Sequence, residues 1–145
     1  MKLYSSIGPN PRLVRMFMLE RGVEIATEEV DIMGGANLSD DFKKLNPSAQ
    51  SPCLQLDDGS TLSEVTVICS YLDEVTAGDS LIGATPEERA QTNMWTRRFD
   101  GRILEPMSLA FRSAEALGLF ENRCHVIPHA ADDLKETVQE NWAWI

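Results

Sequence analysis

The sequence predicts an α/β domain with the order β-α-β, α, β-β-α, followed by an all-helical segment. Three features carry that expectation. Short apolar runs alternate with helix-period stretches up to about residue 78. An Asp58-Gly59 pair lies between two short strand candidates, where both residues tolerate the positive φ of a tight hairpin turn. Beyond residue 78 every apolar pattern has helical spacing, which places an α/β domain at 1–80 and a helical one at 85–145.

Lys2 to Ser6 reads as the first strand, and Asn10-Pro11 as a helix start with Asn as N-cap and Pro at the first helical position. That helix runs to about Arg21 and ends at Gly22, with Leu13, Val14, Phe17 and Met18 on one arc facing a sheet. Ile25 to Ile32 forms the second strand, and two strands joined by a helix make a right-handed parallel unit. A looser stretch with Gly34 and Gly35 leads to a short helix around Ser39 to Leu45, closed by Asn46-Pro47. The hairpin follows in CLQLDDGSTL. Ser63 then caps a helix whose Val65, Ile68, Cys69 and Leu72 form one apolar stripe.

Thr85-Pro86-Glu87-Glu88 opens the helical segment with an N-cap, a proline at the first position and a capping box. Met94, Trp95, Phe99, Ile103 and Met107 repeat at helical spacing and read mostly as core, with Pro106 kinking or ending the helix. Leu109 to Leu117 continues as helix to Gly118, and a last helix begins near Ala131 with Leu134, Val138, Trp142 and Ile145 in register. Arg97, Arg98 and Arg102 interleave with the apolar positions; a solvated face or a subunit contact accounts for them, or Arg98 or Arg102 steers an acidic substrate.

Composition excludes several function classes. Thirteen Lys plus Arg stand against 23 Asp plus Glu, a net charge of -10 that repels phosphate backbones, so neither nucleic acid nor an anionic membrane is an expected partner. No apolar run approaches the roughly 20 residues of a spanning helix, and the N-terminus lacks a basic then apolar leader. Cys53, Cys69 and Cys124 are odd in number and contain no C-x-x-C, which points to a reducing, cytoplasmic setting. Cys53 and Cys69 read as small core hydrophobes. Cys124, His125 and His129 give C-H-x-x-x-H, but Pro128 interrupts the helix that would align the imidazoles and no fourth ligand is evident, so no metal is expected.

The ordered set KLYSSIGPNPRLVRMFMLERG, EEVDI, KKLNPSAQSPCLQL and LSEVTVICSYLDE resembles the thioredoxin-like N-terminal half of the glutathione S-transferases, of bacterial type. TPEERAQTNMWTRRFDGRILEP resembles the first helix of their all-α second domain, which here looks incomplete: family members continue for several more helices, and Trp142 and Ile145 would ordinarily be covered. The resemblance implies a homodimer that binds glutathione as co-substrate and attacks a small apolar electrophile with its thiolate.

It also implies roles for individual residues. Family members activate the thiol with a Tyr, Ser or Cys in the first loop, and here Asn10 stands in that region. Its side-chain amide and the backbone N–H groups at the start of the first helix would stabilise a thiolate, since a helix N-terminus carries partial positive charge; capping the helix is the plain alternative. Ser5 and Ser6 are nearby hydroxyls at the end of the first strand. Pro52 resembles the cis-proline that exposes the preceding backbone, here Ser51, to the cysteinyl part of glutathione. Glu64 would hold the γ-glutamyl ammonium, although as a first-turn acid it also simply favours the helix dipole. Val65 replaces the Ser that most members carry next, leaving its backbone N–H with Thr66 nearby. Gln50, and after it Lys44, would reach the glycyl carboxylate, or remain surface residues. Within the same fold, an isomerase, ether lyase or dehalogenase would use the same thiol site, and a binding protein without catalysis would keep the fold alone.

Overall fold

The computed structural model describes residues 1–145, which divide into two units, Met1–Ala84 and Thr85–Ile145. In the first unit a four-stranded mixed sheet has the order β2-β1-β3-β4, from β1 (Lys2–Ser5), β2 (Ala26–Glu29), β3 (Cys53–Gln55) and β4 (Thr61–Ser63). β1 pairs parallel with β2 and antiparallel with β3, and β3 pairs antiparallel with β4. Successive strand residues face opposite sides, so the sheet builds two cores. Leu3 and Leu54 pack with Val14, Met18, Ile68, Cys69 and Leu72 from α1 (Pro9–Arg21) and α3 (Val65–Val75). Tyr4 and Cys53 turn the other way, with Val30 and with Phe42 of α2 (Asp40–Leu45). Tyr4 and Phe42 meet edge to face, centroids 6.3 Å apart. This is the thioredoxin-like β-α-β, α, β-β-α arrangement.

Several boundaries differ from those the sequence predicts, each for a local reason. α1 starts earlier, with Pro9 at its first position and Gly8 as N-cap at φ 129°, a conformation open to glycine and not to the expected cap, Asn10. Gly22 closes the helix in the left-handed conformation, as expected. Leu13 is exposed instead of lying on the buried arc with Val14 and Met18. The second strand is shorter than Ile25 to Ile32, although Val30 N–H still bonds the Ser5 carbonyl at 2.7 Å. Ser63 does not cap α3: its place opposite Cys53 in the ladder keeps it in β4, and the cap falls on Glu64.

The second unit is helical: α4 (Pro86–Phe99), α5 (Glu105–Ser113), α6 (Leu117–Phe120) and α7 (Ala131–Trp144). The predicted capping box is present. Thr85 Oγ1 accepts from Glu88 N–H at 3.2 Å, and Thr85 N–H donates to Glu88 Oε2 at 3.1 Å. Asp100–Leu104 forms a wider, π-type turn just before Pro106. Proline lacks the N–H that would bond the Arg102 carbonyl four residues back, and Asn141 Nδ2 of α7 supplies that donor at 3.1 Å. The predicted single helix from Leu109 to Leu117 is broken after Ser113, whose buried hydroxyl instead accepts from Ile127 N–H at 3.0 Å. The core of this unit is Ile103, Ala110, Ala131 and Val138. Met94, Trp95 and Met107, expected in it, are exposed, as is Trp142, while Ile145 is half-buried. Arg98 lies over the rings of Trp95 and Trp144, and Arg102 over Trp144 at 4.6 Å.

Candidate functional site

The register of the first unit gathers the site. Tyr4, Cys53 and Ser63 occupy one row across β1, β3 and β4. The residues just beyond that row, Ser5 and Ser6 leaving β1, Ser51-Pro52 entering β3 and Glu64 leaving β4, therefore collect at one end of the sheet. It is the carboxyl end of the parallel strand β1, where open α/β sheets place ligands.

Glu64 is the N-cap of α3 at φ 70° and ψ 125°, a positive-φ conformation outside the left-handed helical region that few residues other than glycine adopt. Its carbonyl accepts the first helical bond, from Ile68 N–H at 2.9 Å, while its exposed carboxylate takes no part in capping. Val65, Thr66 and Val67 precede that bond, so their N–H groups lie at the positive end of the helix. An anion-binding helix end and a carboxylate suited to a cation thus stand side by side.

Ser51-Pro52 is a cis peptide, with Pro52 buried and Ser51 half-buried. The β1–β3 ladder ends at Tyr4–Cys53, so Ser51 lies beyond it. The preceding loop is held by two asparagines. Asn46 Nδ2 donates to the Gln50 carbonyl at 2.8 Å, its Oδ1 accepts from Ser48 Oγ at 2.9 Å, and Asn37 Nδ2 donates to the Ala49 carbonyl at 2.7 Å. Gln50 is exposed next to Ser51. Lys44, also exposed, is paired with Asp41 one turn back on α2 at 2.7 Å.

At the start of α1, Pro9, Asn10 and Pro11 are the first three helical residues, and only Asn10 has an N–H. Arg12 N–H is already bonded to the Gly8 carbonyl at 3.3 Å. The backbone following Asn10, expected to supply N–H groups, therefore adds none, and this helix end offers an anion little beyond Asn10 itself, which is exposed. Ser5 and Ser6 are fully buried. Ser5 Oγ accepts from the Arg15 guanidinium at 2.5 Å, and Ser6 Oγ donates to the Ile7 carbonyl at 3.2 Å, so both hydroxyls have structural partners. Arg15, Asn46 and Asn37 are the contributors the sequence reading missed. The Asn46-Pro47 dipeptide marks the loop, but no local pattern marks the contacts.

Cys53 and Cys69 are packed in the two cores of the first unit. Burial pushes Cys53 and Cys69 up to about 11, and Cys124 is exposed in the helical unit, as are His125 and His129. Alkylation of the native protein near neutral pH should therefore label Cys124 within minutes and leave Cys53 and Cys69 unlabelled until unfolding, read by intact mass. Rapid labelling of all three would contradict the burial described.

Comparison with known proteins agrees with this architecture. The family model for the glutathione S-transferase N-terminal domain matches residues 7–75. Glutathione S-transferase 2 of Saccharomyces cerevisiae is 30% identical over 109 residues, 74% of this chain and 47% of that protein. Protein LigF of Sphingobium is 39% identical over 104 residues, 69% of this chain and 40% of that one. The chain thus spans less than half the length of these curated relatives. Among solved structures, a glutathione S-transferase domain-containing protein of Marinobacter aquaeolei superposes with a TM-score of 0.85 at 32% identity, covering 99% of this chain and 72% of that one. With its sheet order, its Ser51-Pro52 bond and a relative matched over most of its length, the chain belongs to the glutathione S-transferase family.

Proposed function

We propose that this protein binds glutathione at the end of the sheet between Ser51-Pro52 and the start of α3, and holds its thiolate for attack on a small apolar electrophile. The observation that carries the reading is Glu64, a non-glycine residue at positive φ whose carboxylate is not spent on capping its own helix. Residues that the surrounding fold holds at such angles cluster at active sites and ligand clamps. Glu64 takes the γ-glutamyl ammonium, and the N–H groups of Val65 and Thr66 take the adjacent carboxylate. Ser51 pairs its backbone with the cysteinyl unit as an added strand would, Pro52 setting its position, and Gln50 borders the glycyl end. Lys44 serves the glycyl carboxylate only by leaving Asp41.

Asn10 lies nearest the thiol. Its single N–H and its side-chain amide donate to the sulfur and favour the thiolate over the thiol. Ser5 and Ser6 support this loop from below and do not activate the sulfur. In this reading the protein is a cytoplasmic homodimer acting in detoxification by conjugation. An isomerase, ether lyase or dehalogenase would draw on the same thiolate with a different electrophile.

A second reading, a glutathione-binding protein without turnover, draws on Val65 in place of a hydroxyl residue and on the engaged hydroxyls of Ser5 and Ser6. Retention on immobilised glutathione followed by an aryl-halide conjugation assay separates the two. The transferase reading expects retention, elution by free glutathione, and conjugation above the uncatalysed rate. Retention without conjugation favours the binding protein, and absence of retention counts against both.

A further inference from the structure

We infer that Arg15 is the positioning residue of the proposed thiol site, holding the loop between β1 and α1 so that Asn10 faces the sulfur. The inference rests on the glutathione reading above for its ligand, but its structural half stands separately.

Arg15 lies six residues into α1 and is half-buried. Side chains on a helix lean toward its N-terminus, which directs this guanidinium back over the first turns. There one nitrogen, Nη1, donates to Ser5 Oγ at 2.5 Å and to the Ser6 carbonyl at 3.1 Å. Both acceptors are uncharged, so these contacts leave the positive charge unneutralised.

The loop from Ser6 to Gly8 is short, and Arg15 is its anchor to α1. Ser5 is held from the other side through its carbonyl by Val30 N–H, and Ser6 closes on Ile7 through its own hydroxyl. Gly8 follows at φ 129°, and two residues later comes Asn10 between prolines. With Pro9 and Pro11 unable to donate, the sulfur depends on one backbone N–H and one side-chain amide. A displacement of the loop of about 1 Å would misplace both together, and misplacement on that scale is worth up to about a hundredfold in a reaction. Where three or four donors share an anion, a small shift is tolerated; here it is not.

The test compares Arg15→Met and Arg15→Lys with the parent protein. Two ligands are titrated by calorimetry: glutathione, and S-hexylglutathione, whose sulfur is a thioether and forms no thiolate. Amide hydrogen exchange is followed at Val30 and Arg12, whose N–H groups bond the Ser5 and Gly8 carbonyls, with Leu54 as a control in the sheet. In Arg15→Met, glutathione affinity should fall roughly tenfold while S-hexylglutathione affinity changes little, and exchange should accelerate at Val30 and Arg12 but not at Leu54. Arg15→Lys, which keeps the charge and reaches one acceptor, should recover part of the glutathione affinity.

Equal losses for both ligands, or no loss for either, would overturn the positioning role. If the parent protein binds neither ligand, the glutathione reading fails instead, and the exchange pattern alone decides whether Arg15 holds the loop. Should Arg15→Met not fold, Ser5→Ala removes one of the two contacts and must show the same ligand discrimination in weaker form; its absence would likewise defeat the inference.

Discussion

Asp73→Ala should destabilise the first unit by about 3–5 kcal/mol, the usual cost of leaving one member of a buried ion pair alone. Asp73 of α3 and Arg21 at the end of α1 are each 5% exposed, with Arg21 Nε 2.7 Å from Asp73 Oδ1. The pair does more than join two helices. Arg21 donates to the carbonyls of Asp79 at 2.6 Å, Thr76 at 2.9 Å and Asp73 at 3.2 Å, while Asp73 accepts from Ser80 Oγ and from Leu81 N–H at 3.0 Å. The chain from Asp73 to Leu81 is thereby folded around two charges. Thermal or urea unfolding of Asp73→Ala measures the loss, and Arg21→Met/Asp73→Leu should recover a large part of it, because the double change leaves no lone charge.

The same pair predicts a pH dependence. Burial pushes the Asp73 carboxyl up, but the Ser80 hydroxyl, the Leu81 N–H and the Arg21 charge outweigh it and hold the carboxyl below its ordinary range. A carboxyl depressed on folding binds its proton more readily in the unfolded chain. Its stabilising contribution is then complete above the ordinary carboxylate range and is lost as pH falls through the depressed value. The stability gap between the parent protein and Asp73→Asn should be constant from neutral pH down to that range and close in stronger acid. A gap that widens in acid would contradict the assignment.

Glu64 separates stability from binding. Glu64→Gln should weaken glutathione binding by roughly tenfold to a hundredfold, the worth of a charge-assisted hydrogen bond, with little change in the free protein's unfolding temperature. Glu64→Gly should do more: it removes the carboxylate and also the strain of a side chain at φ 70°, stabilising the free protein by about 1 kcal/mol while binding is lost. Opposite signs in the two measurements would show that the conformation serves the ligand. If Glu64→Gly binds as the parent does, Glu64 is only a first-turn acid.

The elements that were legible in the sequence are those fixed by neighbours along the chain. The Asp58-Gly59 turn, the Thr85–Glu88 capping box and the stripe of Ile68, Cys69 and Leu72 each need only a few adjacent residues. Where two local signals compete, the sequence reading chose wrongly. The helix α1 opens at Gly8-Pro9, two residues before the start that Asn10-Pro11 marks, with a glycine at φ 129° as its cap. Ser63 is the better cap by type, yet pairing with Cys53 keeps it in the sheet and forces Glu64 into an unusual conformation. The site's supports, Arg15 on Ser5, Asn46 on Gln50, Asn37 on Ala49, and Arg21 on Asp73, depend on the folded backbone, and no spacing rule reveals them. The apolar repeat of α4 identified a helix but not its burial, since helical spacing records an apolar face and not what covers it.

The central claim is that the end of the sheet holds glutathione, and the direct measurement is a thermal-shift titration of the parent protein with glutathione and S-hexylglutathione. A ligand that binds only the folded state stabilises it by RT ln(1 + [L]/Kd), about 2.7 kcal/mol at a hundred times Kd. The unfolding temperature should rise with the concentration of either ligand, and should not rise with either in Glu64→Gly. An unfolding temperature that stays fixed at saturating concentrations of both would contradict the site described.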